Sequence, residues 1–92
     1  MKSVSVLICT FNRGSLISGT LNSLIKAQIC KPDEIVIVNG GGENNCQLIL
    51  EEWQKIYPKL KIINTENVNL ATSRNIGLPH CKSDLILQTD DD

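Results

Sequence analysis

Four short apolar runs, rich in β-branched residues, are spaced through the 92-residue chain: 4–10 (VSVLICT), 34–38 (EIVIV), 60–63 (LKII) and 85–89 (LILQT). Each is too short for a stable helix, and nearly continuous hydrophobicity is the mark of a strand buried on both faces of a parallel sheet. The stretches between them carry helical spacing. In the first, Leu16, Ile17, Leu21, Leu24 and Ile25 form one apolar stripe, with Ser15 expected as its cap. In the second, Cys46, Ile49, Leu50, Trp53, Ile56 and Tyr57 do the same, behind a cap at Asn44 or Asn45 and ahead of a stop at Pro58. A third, shorter helix is expected from Leu70 to about Gly77, before Pro79. The order is therefore βαβαβαβ. With right-handed crossovers it predicts a three-layer α/β, Rossmann-like fold, a parallel sheet in strand order 3-2-1-4. The first two helices fall on one face and the third on the other.

Ligands of such sheets bind beyond the carboxyl ends of the strands, where the strand order reverses. Here that point lies between the first and last runs. Phe11-Asn12-Arg13 follows the one, Asp90-Asp91-Asp92 follows the other, and the second run delivers Asn39 and Gly40-Gly41-Gly42 beside them. Three adjacent carboxylates repel one another unless a cation neutralises them, and all-oxygen ligands suit Mg²⁺ or Mn²⁺. A solvated acidic tail is the alternative; the apolar run in front of the aspartates favours a site. Phe11, the one Phe in the chain, falls in a loop, where it either stacks on a nucleobase or packs under a helix. Arg74, among Asn69, Thr72, Ser73 and Asn75, suits a base carbonyl or a phosphate, against the ordinary case of an exposed helix Arg. The glycines lack the spacing and the Lys of a P-loop and read as a permissive turn. His80 has no partner spacing.

Composition narrows the classes further. With 9 basic and 10 acidic residues the net charge is −1, which leaves no electrostatic footprint for nucleic acid or a membrane surface. A hydrophobic fraction of 41% with 3% aromatics implies one small domain with an aliphatic core. Cys9, Cys30, Cys46 and Cys81 show no C-x-x-C spacing and read as reduced thiols. Neither a signal-peptide start nor a membrane-length apolar run is present, so a soluble cytoplasmic protein is expected.

Four blocks together carry a resemblance: VSVLICTFNR at 4–13, EIVIVN at 34–39, NLATSRNIG at 69–77 and TDDD at 89–92. In order and spacing they resemble successive blocks of the family 2 glycosyltransferases, across essentially the whole chain. The resemblance implies a GT-A fold, with residues 1–92 as its nucleotide-diphosphosugar-binding half ending at a D-x-D metal motif, Asp90 and Asp92. It implies transfer of a sugar from a nucleoside-diphosphate donor, of uridine type by preference, to an acceptor hydroxyl, with Mn²⁺ or Mg²⁺. Carried over residue by residue, Thr10 and Phe11 would line the base pocket, Phe11 against the ring, with Asn12 and Arg13 in the same nucleotide-binding loop. Asn39 stands where the family usually has an Asp that binds the base. Arg74 matches the helix Arg near the nucleotide, Asp90 would face the ribose, and Asp92 the metal.

Two departures accompany the match. Cys9 replaces a common Pro, and Asn39-Gly40-Gly41-Gly42 replaces an Asp-Asp-Gly-Ser pattern. Asn keeps an acceptor and adds donors. No acceptor base is found, so the fragment alone is expected to be inactive. A sugar-phosphate nucleotidyltransferase is a second class, disfavoured by the lack of a basic Gly-rich loop after the first run. A non-catalytic nucleotide-binding module is a third. Finally, the fourth run would form a sheet edge with no Lys or Pro on it, so self-association is expected, most simply as a two-fold dimer.

Overall fold

A computed structural model of the chain describes residues 3–11, 14–23, 32–40, 46–66 and 69–89. Its elements are β1 (Val4–Thr10), α1 (Gly14–Asn22), β2 (Glu34–Asn39), α2 (Cys46–Ile56), β3 (Leu60–Asn64), α3 (Leu70–Gly77) and β4 (Leu85–Thr89), with a 3₁₀ turn at Leu78–His80. All strand pairs are parallel, and the order is β3-β2-β1-β4, as the alternation of elements predicts.

Strand alternation divides the core in two. Val6 and Ile8 of β1, Ile35 and Ile37 of β2 and Leu60 of β3 pack on Ile17 and Leu21 of α1 and Leu50 of α2. On the opposite face, Leu7, Val36 and Val38 pack against Ile63, Ile76, Leu78 and Cys81. Each such buried aliphatic side chain contributes roughly 1.5–3 kcal/mol of transfer free energy. The two-sided burial of β1 and β2 explains why their sequences are apolar without alternation. Trp53 Nε1 donates to Ser18 Oγ at 3.1 Å and ties α1 to α2.

On its own face α3 sits unusually close to the sheet. A Cβ built on Gly77 would lie 2.5 Å from Leu7 Cδ1 and 2.8 Å from Val38 Cγ2. At the other end of α3, Asn69 is the N-cap, its side-chain oxygen accepting from Thr72 N at 2.8 Å.

The amino ends of the strands are closed by three acidic side chains, each holding the start of β1. Asp84 accepts from Ser3 N at 3.2 Å, Asp33 accepts from Val4 N at 2.7 Å, and Glu34 accepts from Ser5 Oγ. Glu34 is buried, and it also accepts from Lys82 N and pairs with Lys61 Nζ at 2.9 Å. Ser5 Oγ in turn accepts from Ser83 N at 3.1 Å, so one network joins β1, β2, β3 and the approach to β4. Burial alone would raise the Glu34 pKa. The bonds from Ser5, Lys61 and Lys82 and the charge of Lys61 outweigh it and hold the carboxyl at about 2.

Four expectations change. The strand at 85–89 forms as expected but is not buried: every residue of β4 is exposed, with Leu85 at 50%, Ile86 at 42% and Leu87 at 55%. The strand pairs with β1 alone, and among the described residues no helix covers it. Ser15 lies inside α1, which begins at Gly14. Ile56 is exposed at the end of α2, because Tyr57 rather than Ile56 turns back to the core and its hydroxyl donates to Pro32 O. Finally, β2 and β3 each run one residue further than their apolar runs, to Asn39 and Asn64. The expected positions Leu24 and Ile25 and the caps Asn44 and Asn45 lie outside the described residues.

Candidate functional site at the carboxyl ends of the strands

Thr10, Asn39 and Asn64 are the last residues of β1, β2 and β3, and they are register partners across the sheet. They form one polar row directly beyond the apolar row Ile8–Ile37–Ile62. Since side chains alternate along a strand, the polar row faces the same side as those isoleucines, toward α1 and α2. The core thus ends in hydrogen-bonding groups on the side and at the edge where an open sheet of this type receives ligands.

Asn39 is 3% exposed, so its carboxamide must find partners. Its Nδ2 donates to Gln47 Oε1 at 3.2 Å and to Asn64 Oδ1 at 3.3 Å. Gln47 lies in the first turn of α2, and its own amide donates to Glu51 Oε2 at 3.3 Å. Thr10 is 5% exposed, and its Oγ1 is buried with no hydrogen-bond partner among the described residues. An unpaired buried hydroxyl costs about 1–3 kcal/mol, so this atom marks a place where a polar ligand would be rewarded.

Phe11 follows Thr10 and is 42% exposed, which agrees with a ring outside the core. Gly40 N donates to Thr10 O at 2.8 Å, and a Cβ built on Gly40 would lie 3.5 Å from Phe11 Cδ1. Gly40 therefore lies beside the aromatic ring. The last residue of β4, Thr89, is the register partner of Ile8, so β4 ends close to the end of β1.

Thr10, Phe11 and Asn39 are thus brought together at adjacent strand ends. Arg74 is not joined to them: it lies half-buried on α3, which packs on the other face of the sheet, and no hydrogen bond links it to the polar row. Asn12, Arg13, Asp90 and Asp92 lie outside the described residues. Among the described residues no group of three His, Cys, Asp or Glu is placed to hold a metal. Gln47 and Asn64 were not singled out by sequence. The signal for Asn64 was present, since three successive apolar runs end in Thr, Asn and Asn. For Gln47 the signal is only its place in the first turn of a helix.

Comparison with known proteins agrees with this architecture. Residues 5–92 match the family model described as "Glycosyl transferase family 2". A "Putative glycosyltransferase EpsH" from Bacillus subtilis is 33% identical over 90 residues, 98% of this chain and 26% of that protein. A "Cholesterol galactosyltransferase" from Borreliella burgdorferi is 28% identical over 97% of this chain and 25% of its own length. The solved mannosyltransferase PcManGT from Pyrobaculum calidifontis, in complex with GDP-Man and Mn²⁺, superposes with a TM-score of 0.87 at 26% identity. That match covers 99% of this chain and 28% of the solved chain. The chain therefore spans about a quarter of the length of these relatives.

Proposed function

Because the chain belongs to glycosyl transferase family 2 and has its GT-A fold, we propose that it is the donor-binding part of an enzyme that transfers a sugar from a nucleoside-diphosphate sugar to an acceptor hydroxyl. The observation that carries the reading is the buried hydroxyl of Thr10, without a hydrogen-bond partner among the described residues, in line with Asn39 and beside the exposed ring of Phe11. Hydrogen-bonding groups next to an aromatic face are what a nucleobase needs: edge contacts in plane and stacking above. Arg74, Asn12 and Arg13 are assigned to the nucleotide as well. A uridine nucleotide is the preferred donor.

The residues fit a divalent cation through the chemistry of their donors. Asp92, with Asp90 toward the ribose, offers carboxylate oxygens of the kind Mg²⁺ and Mn²⁺ take. When bound, the ion would supply positive charge against the diphosphate leaving group, a Lewis-acid role. The chain's own part is to hold the base: Thr10 and Asn39 fix its edge, and Phe11 covers its plane. A mannosyltransferase of the same fold was solved with GDP-Man and Mn²⁺, which supports both assignments. No helix among the described residues is long and apolar enough to cross a membrane. Cys81 is a free thiol, and a cytoplasmic placement is part of this reading.

The test is nucleotide titration. Wild-type protein should bind UDP, and Phe11→Ala should weaken binding by about 1–3 kcal/mol, the usual worth of base stacking on an aromatic ring. Equal affinity in the variant would move the base away from Phe11. Failure of the wild type to bind any nucleoside diphosphate would contradict the donor-binding reading.

The exposed strand β4 is assigned to self-association. Among the described residues its outer edge has no partner strand, and Leu85, Ile86 and Leu87 are open to water. Light scattering over a concentration series should show mass rising toward a dimer. A monomer at high concentration with β4 protected from amide exchange would contradict this.

A further inference from the structure

Three consecutive backbone N–H groups, those of Lys82, Ser83 and Asp84, are each taken by a side chain from the amino ends of β1 and β2. Lys82 N donates to Glu34 Oε2, Ser83 N to Ser5 Oγ at 3.1 Å, and Asp84 N to Ser3 Oγ at 3.0 Å. Both serines spend their own proton elsewhere: Ser5 Oγ donates to Glu34 Oε2, and Ser3 Oγ to Asp84 Oδ2 at 3.3 Å. Each hydroxyl is thereby oriented with a lone pair toward the incoming chain. Asp84 also accepts from Ser3 N at 3.2 Å, and Leu85 N donates to Ser3 O at 3.0 Å, where the pairing of β1 with β4 begins. The chain returning from α3 is thus caught residue by residue just before it becomes β4.

β4 depends on such contacts. A strand with one buried face has its register set by its hydrophobic pattern, because a slip of one residue turns that face to water. β4 lacks this constraint: every residue of it is exposed, and Leu85-Ile86-Leu87 is apolar on both faces. The backbone bonds of a parallel ladder are evenly spaced and carry no side-chain information, so the ladder to β1 does not choose the register either.

We infer that Ser3, Ser5 and Glu34 are positioning residues for the acidic segment that follows β4 in sequence: they fix which residue of β4 stands beside the end of β1. The functional half of this rests on the donor-binding reading above, in which Asp90 and Asp92 serve the ribose and the cation. With the clamp in place Leu85 pairs with Val4, and Thr89 with Ile8. A slip of one residue would carry Thr89, from which the aspartates follow, about 3.3 Å along β1 and turn every side chain of β4 to the other face. A site that must hold its geometry to about 0.5 Å does not survive that shift. The clamp lies at the amino ends of the strands, away from the candidate site, so it acts on the site only through β4.

NMR of the wild type and of the double variant Ser3→Ala/Ser5→Ala, with calorimetric titration of UDP and of Mn²⁺ in the presence of UDP, tests it. The wild type should show one set of contacts between β1 and β4, Val4 to Leu85 and Ile8 to Thr89. The double variant should keep amide protection in β1 and β2, lose it in β4, and show a second set of contacts displaced by about one residue. Its affinity for UDP alone should stay within about twofold of the wild type, while Mn²⁺ binding in the presence of UDP should weaken at least about tenfold. Ser3→Thr keeps the hydroxyl and should match the wild type in both readouts. An unchanged register in the double variant, or a displaced register with unchanged Mn²⁺ binding, overturns the inference. So does loss of amide protection throughout β1 and β2, which would make the clamp a support of the whole sheet. A wild type that binds neither UDP nor Mn²⁺ overturns the donor-binding reading and the functional half with it, while the register measurement uses no ligand and decides the clamp by itself.

Discussion

Replacing Glu34 by Ala is expected to destabilise the fold by about 3 kcal/mol, although the residue is far from the candidate site. Glu34 is buried at the amino ends of the strands and receives Ser5 Oγ, Lys82 N and Lys61 Nζ. Truncation leaves the Ser5 hydroxyl and the Lys82 amide short of a partner, each costing about 1–3 kcal/mol. Lys61 is 44% exposed and can return to water, so the loss falls below that of a fully buried ion pair. The same network gives a pH signature. A carboxyl held at about 2 when folded and at 4.5 otherwise contributes stability that is fully present above pH 5. That contribution is lost as the pH falls from about 4.5 toward 2. The full shift would correspond to about 3 kcal/mol; screening of the half-exposed Lys61 reduces it to about 2. Urea denaturation of the wild type should show this extra loss between pH 5 and 2, and Glu34→Gln should not. Parallel pH profiles for the two proteins would contradict the account of the network.

Gly77→Val should be nearly as damaging, and Gly77→Ala should destabilise in spite of helix propensity. Gly77 has φ −78° and ψ −34°, which any residue adopts, so an exposed Gly there would gain about 1 kcal/mol on change to Ala. Here the new Cβ meets Leu7 Cδ1 at 2.5 Å and Val38 Cγ2 at 2.8 Å. Leu7 is 1% exposed and Val38 is 0% exposed, so neither has room to withdraw, and Val is stiff at χ1. Overpacking of this kind costs about 1–3 kcal/mol, which outweighs the gain in propensity. The two further methyl groups of Val add to it. Thermal unfolding of the two variants would show falling melting temperatures in the order wild type, Ala, Val. An increase for Gly77→Ala would mean that α3 can lift off the sheet at little cost.

The architecture was legible because two periodicities carry it. Continuous apolar runs named β1 and β2, helical stripes named α1 and α2, and the handedness of parallel crossovers then left one simple order for the sheet. β4 shows the limit of that reasoning. Leu85-Ile86-Leu87 has the composition of a buried strand, yet burial depends on what packs against it, and periodicity is blind to that. The geometry of the candidate site was legible in part: Thr10, Phe11 and Asn39 come together at adjacent strand ends, as the topology requires. Gln47 and Asn64 were not, because a Gln in a first helical turn and an Asn after a strand are ordinary in sequence. The register Thr10 to Asn39 to Asn64, with the bond from Asn39 to Gln47, makes them one group. Glu34 was hidden likewise, since a charged residue before an apolar run reads as a strand boundary rather than the centre of a buried network.

The carboxyl edge of this sheet is proposed to bind a nucleoside diphosphate together with a divalent cation. Calorimetry of Mn²⁺ in the presence and absence of UDP, on the wild type and Asp92→Ala, tests it most directly. The wild type should bind Mn²⁺ weakly alone and at least about tenfold more tightly with UDP present, since the phosphates complete the coordination sphere. Asp92→Ala should lose most of that enhancement while still binding UDP through Thr10, Phe11 and Asn39. Identical heats for the two proteins in the ternary titration would contradict it.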